Sequence, residues 1–194
     1  MHELVGLFKS KIWSYVESRT AALYHAADTH LARLDACQTR FVKELGMSEK
    51  NSLEFFNMAP LSTRRDIAML GLIHRTTIGA GPSQFADFFA PAKVARCSRT
   101  RRGAALHTRQ IEDIRNSGPV LEPVRRSALG LVAVYNLLQQ STVEHETVAN
   151  FQAALQNEVK ARAKAGHNNW RETFSPRLPL LTHPLQTWRR DDLT

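Results

Sequence analysis

The sequence predicts a mainly α-helical chain, an irregular helical bundle interrupted by a basic linker and closed by an extended C-terminal tail. Three observations lead there. Apolar residues recur at three- and four-residue spacings in several segments bounded by glycine or proline. Between two such regions lies a stretch from Phe88 to Ile111 without a single acidic residue. After Pro176 the periodicity fades, and Pro179 and Pro184 interrupt what is left.

Taken in order, Val5, Phe8, Ile12 and Val16 share one face of a first amphipathic helix, with Trp13 beside it. A second helix is expected over 29–45. Asp28 is placed to accept from the free amides of its first turn, Leu31, Leu34, Phe41, Val42 and Leu45 form its stripe, and Gly46 ends it. A third begins after Pro60, where Thr63 and Asp66 have capping-box spacing and Ile67, Leu70, Ile73 and Ile78 follow. It must stop at Gly79-Ala80-Gly81-Pro82, since glycine accepts positive φ and proline cannot continue the ladder. A short helix from Ser83 to Phe89 ends before Pro91. The apolar run from Arg126 to Leu138 reads as helix, although Gly130 weakens that assignment and Val132, Val134 and Tyr135 also suit a strand. Thr147 opens a last helix carrying Val148, Phe151, Leu155 and Val159 on one face. Lys160, Arg162 and Lys164 lie near its carbonyl end and Gly166 closes it.

These elements divide the chain into a helical part over 1–92, a basic linker over 93–126, a second helical part over 127–170 and an extended or disordered tail over 171–194. With 194 residues, 43% hydrophobic and 23% charged, the composition is that of a folding chain rather than a disordered one. The net charge of +8 makes a polyanion the natural partner class, nucleic acid or an anionic surface, with solubility as the plainer reading of the same charge. Cys37 and Cys97 are sixty residues apart, which indicates neither a disulfide framework nor a zinc site. An intracellular setting, nuclear or cytoplasmic, is therefore expected. Met1-His2-Glu3 has an acid where a signal peptide carries positive charge, so secretion is not expected, and no apolar run approaches a membrane span, so no membrane partner is expected.

The search for chemistry ends mostly in ordinary readings. His25 and His30 are five apart, on different helix faces, and no cysteine stands at ligand spacing. No serine sits in a nucleophile elbow, and Gly79-Ala80-Gly81-Pro82 lacks the rest of a phosphate cradle. Neither a catalytic residue nor a cofactor is expected. The nucleic-acid candidates are Lys93, Arg96, Arg99, Arg101, Arg102 and Arg109 in the acid-free run, the arginines among them offering guanidinium forks that suit phosphate oxygens. A solvated linker is the competing reading. Arg64 and Arg65 join them because cations at a helix start oppose the macrodipole, which calls for a reason: a phosphate contact, or pairing with Asp66 or another acid. Phe85, Phe88 and Phe89 suit base stacking or a hydrophobic anchor.

Leu31, Leu34, Asp35, Gln38, Arg40 and Phe41 form an L..LD..Q.RF pattern. Ala59-Pro60-Leu61, Arg64-Arg65-Asp66 and Leu70 follow as APL..RRD...L, continued by Leu72-Ile73-His74-Arg75. Tyr135-Asn136-Leu137-Leu138 and a helix with Phe151 and Leu155 come last. In this order, over about residues 15–165, the boxes resemble the region downstream of the polymerase in non-LTR retrotransposon reverse transcriptase polyproteins. Tyr135 and Gln139 stand where that family has tryptophan and proline. The resemblance implies a part that supports a polymerase and helps grip template RNA or target DNA, with a reverse transcriptase domain or a second copy of the chain as further partners. It implies no catalysis here, because the family's Tyr/Phe-x-Asp-Asp turn is absent and Asp191-Asp192 follows Arg189-Arg190 near the end of the sequence. The alternative is a helical protein–protein interaction module that binds no nucleic acid.

Overall fold

A computed structural model describes residues 1–92, 107–113 and 122–186. They form a mainly helical fold, and among them the only β pairing is an isolated antiparallel bridge between Pro91 and Ile111. The first helical run is α1 (His2–Phe8), a π-helical turn (Lys9–Trp13) and α2 (Ser14–Glu17). The π turn rotates everything after it. Val5 and Phe8 are buried as their spacing predicts, but Trp13, five residues beyond Phe8, takes the inward position while Ile12 is half-buried.

After α3 (Thr20–Leu23) comes α4 (Asp28–Glu44), which buries Leu31, Gln38 and Val42. Its N-cap is Ala27 without a side-chain bond, and Asp28, expected as the cap, instead pairs with Arg177. Helix α5 (Glu49–Phe56) has no counterpart in the sequence reading. Ser48 caps it by accepting from the Asn51 amide, and Asn57 ends it in the left-handed region at φ 55°. Helix α6 (Leu61–Thr77) runs through the centre, with ten of its residues buried, Ile67, Leu70 and Ile73 among them. The capping box proposed for Thr63 and Asp66 is not formed, because both lie inside the helix. The Thr63 hydroxyl donates to the Arg171 carbonyl at 2.7 Å and Asp66 accepts from Tyr24. Gly79 does end the run, at φ 75°.

The expected helix over 83–89 is a 3₁₀ turn (Ser83–Phe85) followed by turns that bury Phe89 and leave Phe88 exposed. In the second half, α7 (Glu122–Arg125), α8 (Leu131–Tyr135) and α9 (Gln140–Val143) are short. The apolar run from Arg126 to Leu138 is thus helical only in part. Gly130 sits at its N-cap, where a Cβ would lie 2.0 Å from the Arg125 carbonyl oxygen. Helix α10 (Val148–Lys164) starts on Thr147, which accepts from the Asn150 amide, and packs along α6. Phe151, Leu155 and Val159 are fully buried there, each worth about 1.5–3 kcal/mol.

One core joins both halves, from Leu53 and Leu70 to Leu131, Phe151 and Phe174. A second, smaller core gathers Val5, Phe8, Trp13, Val42, Met58 and Leu61. The segment from 171 onward, expected as an extended tail, packs as far as the structure describes it. Phe174, Pro176, His183 and Leu185 are buried although no periodicity announces them. Likewise, the described parts of the expected linker are folded: residues 107–113 are docked on the second half, and Glu122–Arg125 form α7.

Candidate nucleic-acid interface and the polar network behind it

Of the sequence-predicted contacts, Lys93, Arg96, Arg99, Arg101 and Arg102 lie outside the described residues. The residues on either side of them do not. The Ala92 amide donates to the Gln110 carbonyl and the Glu112 amide to the Ala90 carbonyl, both at 2.9 Å, so the chain leaves and re-enters the fold at one place. Asn136 clamps the returning strand from its other side. Its side chain accepts from the Ile111 amide at 2.9 Å and donates to the Ile111 carbonyl at 2.8 Å, completing both backbone groups as a neighbouring strand would.

Arg109 fastens the same strand: its Nη1 donates to the carbonyls of Val143 at 2.5 Å and His145 at 3.2 Å. Arg65 is buried, and its two terminal nitrogens donate to the two Asp35 carboxylate oxygens at 2.6 and 2.9 Å. Arg64 stacks on Trp13, its guanidinium carbon 3.7 Å from the ring centre, and pairs with Glu17. All three described candidates therefore have partners within the fold, and for Arg64 and Arg65 the acid pairing holds with acids other than Asp66. The outer face of α4, by contrast, exposes Arg33, Arg40 and Lys43.

Behind Arg65 lies a polar network that joins α4 to α6. Trp13 Nε1 donates to Gln38 Oε1 at 2.8 Å, and Gln38 Nε2 donates to the Ala59 carbonyl at 2.9 Å. Gln38 falls on the apolar stripe of α4, seven residues after Leu31, and a polar residue on a buried stripe is the sequence signal of such a network. The Tyr24 hydroxyl donates to Asp66 Oδ1 at 2.6 Å. Burial pushes the Asp66 carboxyl up to about 7, against the Tyr24 hydrogen bond and the charges of Arg65 and Arg177, which favour ionisation. Burial and the neighbouring Asp66 push the Tyr24 hydroxyl well up. Arg177 donates to the carbonyls of Tyr24 and Ala26 at 3.1 and 3.2 Å. These groups line an open cleft of about 430 Å³ whose arginines are each paired, Arg65 with Asp35, Arg171 with Glu49 and Arg177 with Asp28.

A second network crosses the major core. His74 Nε2 donates to the His145 carbonyl at 2.8 Å, which leaves Nδ1 to accept from the Tyr135 hydroxyl at 3.1 Å. Thr77 joins at 3.0 Å, and Phe151 stacks on His74 with ring centres 4.0 Å apart. His107 Nε2 donates to the Tyr135 carbonyl at 3.0 Å while its Nδ1 accepts from the Arg109 amide. Burial lowers the affinity of both imidazoles for a second proton, aided by the charge of Arg109, while their bonds to carbonyls act the other way. In the sequence reading His74 and Tyr135 carried no role beyond the boxes that contain them, and His107 carried none.

These constellations hold helices together. Among the described residues no group of three or more His, Cys, Asp or Glu side chains converges as a metal ion would need, and no helix is long and apolar enough to cross a membrane. No known family, curated protein or solved structure matches the chain.

Proposed function

We propose that this chain is a non-catalytic part of a retrotransposon reverse transcriptase-type polyprotein that binds RNA or DNA electrostatically. The observation that carries the binding is the acid-free run from Phe88 to Ile111, whose two ends are tied together by the Pro91–Ile111 bridge. A basic segment fixed at both ends can meet a phosphate backbone without the full ordering cost of a free tail. What supports the polyprotein reading is the way the boxes complete one another. Asp35 and Gln38 of the first bind Arg65 and the Ala59 carbonyl of the second, and Tyr135 of the third binds His74 in the continuation of the second. Such mutual satisfaction gives the boxes a reason to occur together without any catalytic role.

The test is the quadruple alanine variant of Arg96, Arg99, Arg101 and Arg102. Affinity for RNA and DNA should fall almost equally, since phosphate contacts carry no sequence information. The slope of log affinity against log salt should flatten by about 0.7–0.9 for each phosphate no longer neutralised. Unaltered affinity and slope would sink the role of this segment.

The interaction-module reading is favoured by one observation, the exposed apolar side chains Leu4, Leu7 and Tyr15 along the first helical run, with Phe55 exposed on α5. Association through them would resist salt, where nucleic-acid binding weakens steeply.

A further inference from the structure

We propose that the open cleft at the base of the acid-free run, between the last turn of α6 and the paired chain at Pro91 and Ile111, holds one nucleobase of a single-stranded nucleic acid, with the phosphate next to that base drawn to Arg109. The choice of a nucleic acid rests on the function proposed above; the cleft itself rests on the geometry.

The cleft has a volume of about 390 Å³, within the range of roughly 300–1,000 Å³ of small-ligand pockets. Thr76 and Thr77 form one wall from the last turn of α6, and Ala86 contributes from the turn after Phe85. The remaining lining comes from the two ends of the acid-free run, which the bridge between Pro91 and Ile111 sets side by side. Phe89 and Ile111 are buried and make an apolar floor, whereas Ala86, Pro91 and Thr108 are exposed, so the mouth opens to solvent. A flat, unstacked ring suits such a floor better than a sugar or a phosphate does.

Two observations narrow the occupant. The first is charge. Among the described residues no carboxylate lines the cleft, while Arg109 does line it. Its Nη1 donates to the Val143 and His145 carbonyls, which are neutral, and no described acid pairs with it, so its charge is uncompensated. An anionic group beside the cleft would meet that charge. The second is hydrogen-bonding capacity. Gln110 Nε2 donates to the Asn136 carbonyl at 3.2 Å, and the Gln110 side-chain carbonyl has no partner among the described residues. Thr108 Oγ1 accepts from Gln140 Nε2 at 3.2 Å and keeps its own hydrogen to donate. One acceptor and one donor match the edge of an unpaired base, which offers both. In a duplex that edge is taken by the complementary strand, so the cleft favours single strands.

The test uses the full 194-residue chain and two fluorescent single strands of equal length and charge, one with its bases and one abasic. The parent should bind the first about tenfold more tightly, with the same salt slope for both, because a base adds contact but no charge. Ala86→Phe fills the cleft from an exposed position and should abolish that preference while leaving affinity for the abasic strand unchanged. Ala161→Phe, at an exposed alanine on α10, should keep it. Equal affinity of the parent for both strands would overturn the cleft and leave the phosphate contacts of the basic run standing. A preference that survives Ala86→Phe would overturn it as well, as would its loss in both variants. If the parent binds neither strand, the nucleic-acid reading fails, and the cleft is judged with adenosine 5′-monophosphate alone. It then stands if this nucleotide shifts the Ile111 methyl resonances in the parent and not in Ala86→Phe, and falls otherwise.

Discussion

Arg65 and Asp35 meet in a two-pronged ion pair, 2.6 and 2.9 Å long, that joins α6 to α4 with the arginine side chain only 5% exposed. Breaking one side of such a pair leaves a buried charge without a partner. Asp35→Leu should therefore destabilise by about 3 kcal/mol, within the range for disrupted buried pairs. Adding Arg65→Met should restore most of the loss, since replacing both partners removes the desolvation penalty as well. Denaturant melts of the parent, the two single variants and the double variant give the coupling directly. Additive losses would mean that the fork contributes nothing beyond its separate side chains.

The Asp66 carboxyl gives the fold a distinct response to pH. Its value rises from 3.8 in the ordinary carboxylate to about 7 in the folded chain, so between these limits the folded state holds a proton that the unfolded state releases. Stability from this group is greatest below about 4, falls as the pH rises toward 7 and is level above it. Asp66→Asn keeps an acceptor for the Tyr24 hydroxyl and removes the titration. The variant should gain on the parent by on the order of 2–4 kcal/mol between pH 4 and pH 8, measured as the difference between their unfolding free energies. A constant difference across that range would show that the carboxyl ionises freely.

The two buried imidazoles act in the opposite direction. His74 and His107 are held below their ordinary value of 6.5, so the unfolded chain takes up protons first on acidification. Their contribution is complete above about 6.5 and is lost as the pH falls. Tyr135→Phe removes the hydroxyl that donates to His74 Nδ1 and meets Thr77. The buried imidazole nitrogen left without a donor should make it about 1–3 kcal/mol less stable at pH 7.5. Urea titration at that pH is the check, and an unchanged midpoint would show that the hydroxyl network contributes nothing.

Phe151 is fully buried, stacks on His74 and lies 6.1 Å from the Tyr135 ring centre. Phe151→Ala should cost about 3–5 kcal/mol, because the rigid neighbours on α6 and α8 cannot close the cavity. A melting temperature equal to the parent's would mean that α10 does not pack where it is described.

What was legible in the sequence follows from range. The helices α4, α6 and α10 were readable because their stripes and several end signals are local: Gly46, Gly79 and Thr147 act within a turn of themselves. Helix α5 was equally local, and the Ser48 cap was its available signal. The polar network was not readable, since the choice of partner is made by docking. Arg65 finds Asp35 thirty residues away and Thr63 finds the Arg171 carbonyl 108 residues away. The π turn shows the limit of periodicity, as one wider turn moved Trp13 into the position expected of Ile12. The packed segment after 170 was missed because Trp170, Phe174 and Leu185 fill gaps between helices, which imposes no spacing on them.

Asn136 is the residue through which fold and proposed function meet most directly. Its amide closes both backbone groups of Ile111, which is 2% exposed and pairs with Pro91 at the base of the basic segment. Asn136→Ala leaves the Ile111 amide and carbonyl without that partner, and water reaches them only if the strand lifts. The expected loss is local, about 1–3 kcal/mol in the opening of residues 107–113, with a smaller effect on the global melt. Hydrogen exchange at the Ile111 amide should accelerate by roughly one to two orders of magnitude while amides in the middle of α6 stay protected. If the basic segment binds nucleic acid as a loop held at both ends, loosening one end adds an ordering cost, and oligonucleotide affinity should fall about two- to fivefold without a change in salt slope. Faster exchange with unaltered affinity would separate the anchor from binding, and unaltered exchange would show that the clamp is dispensable.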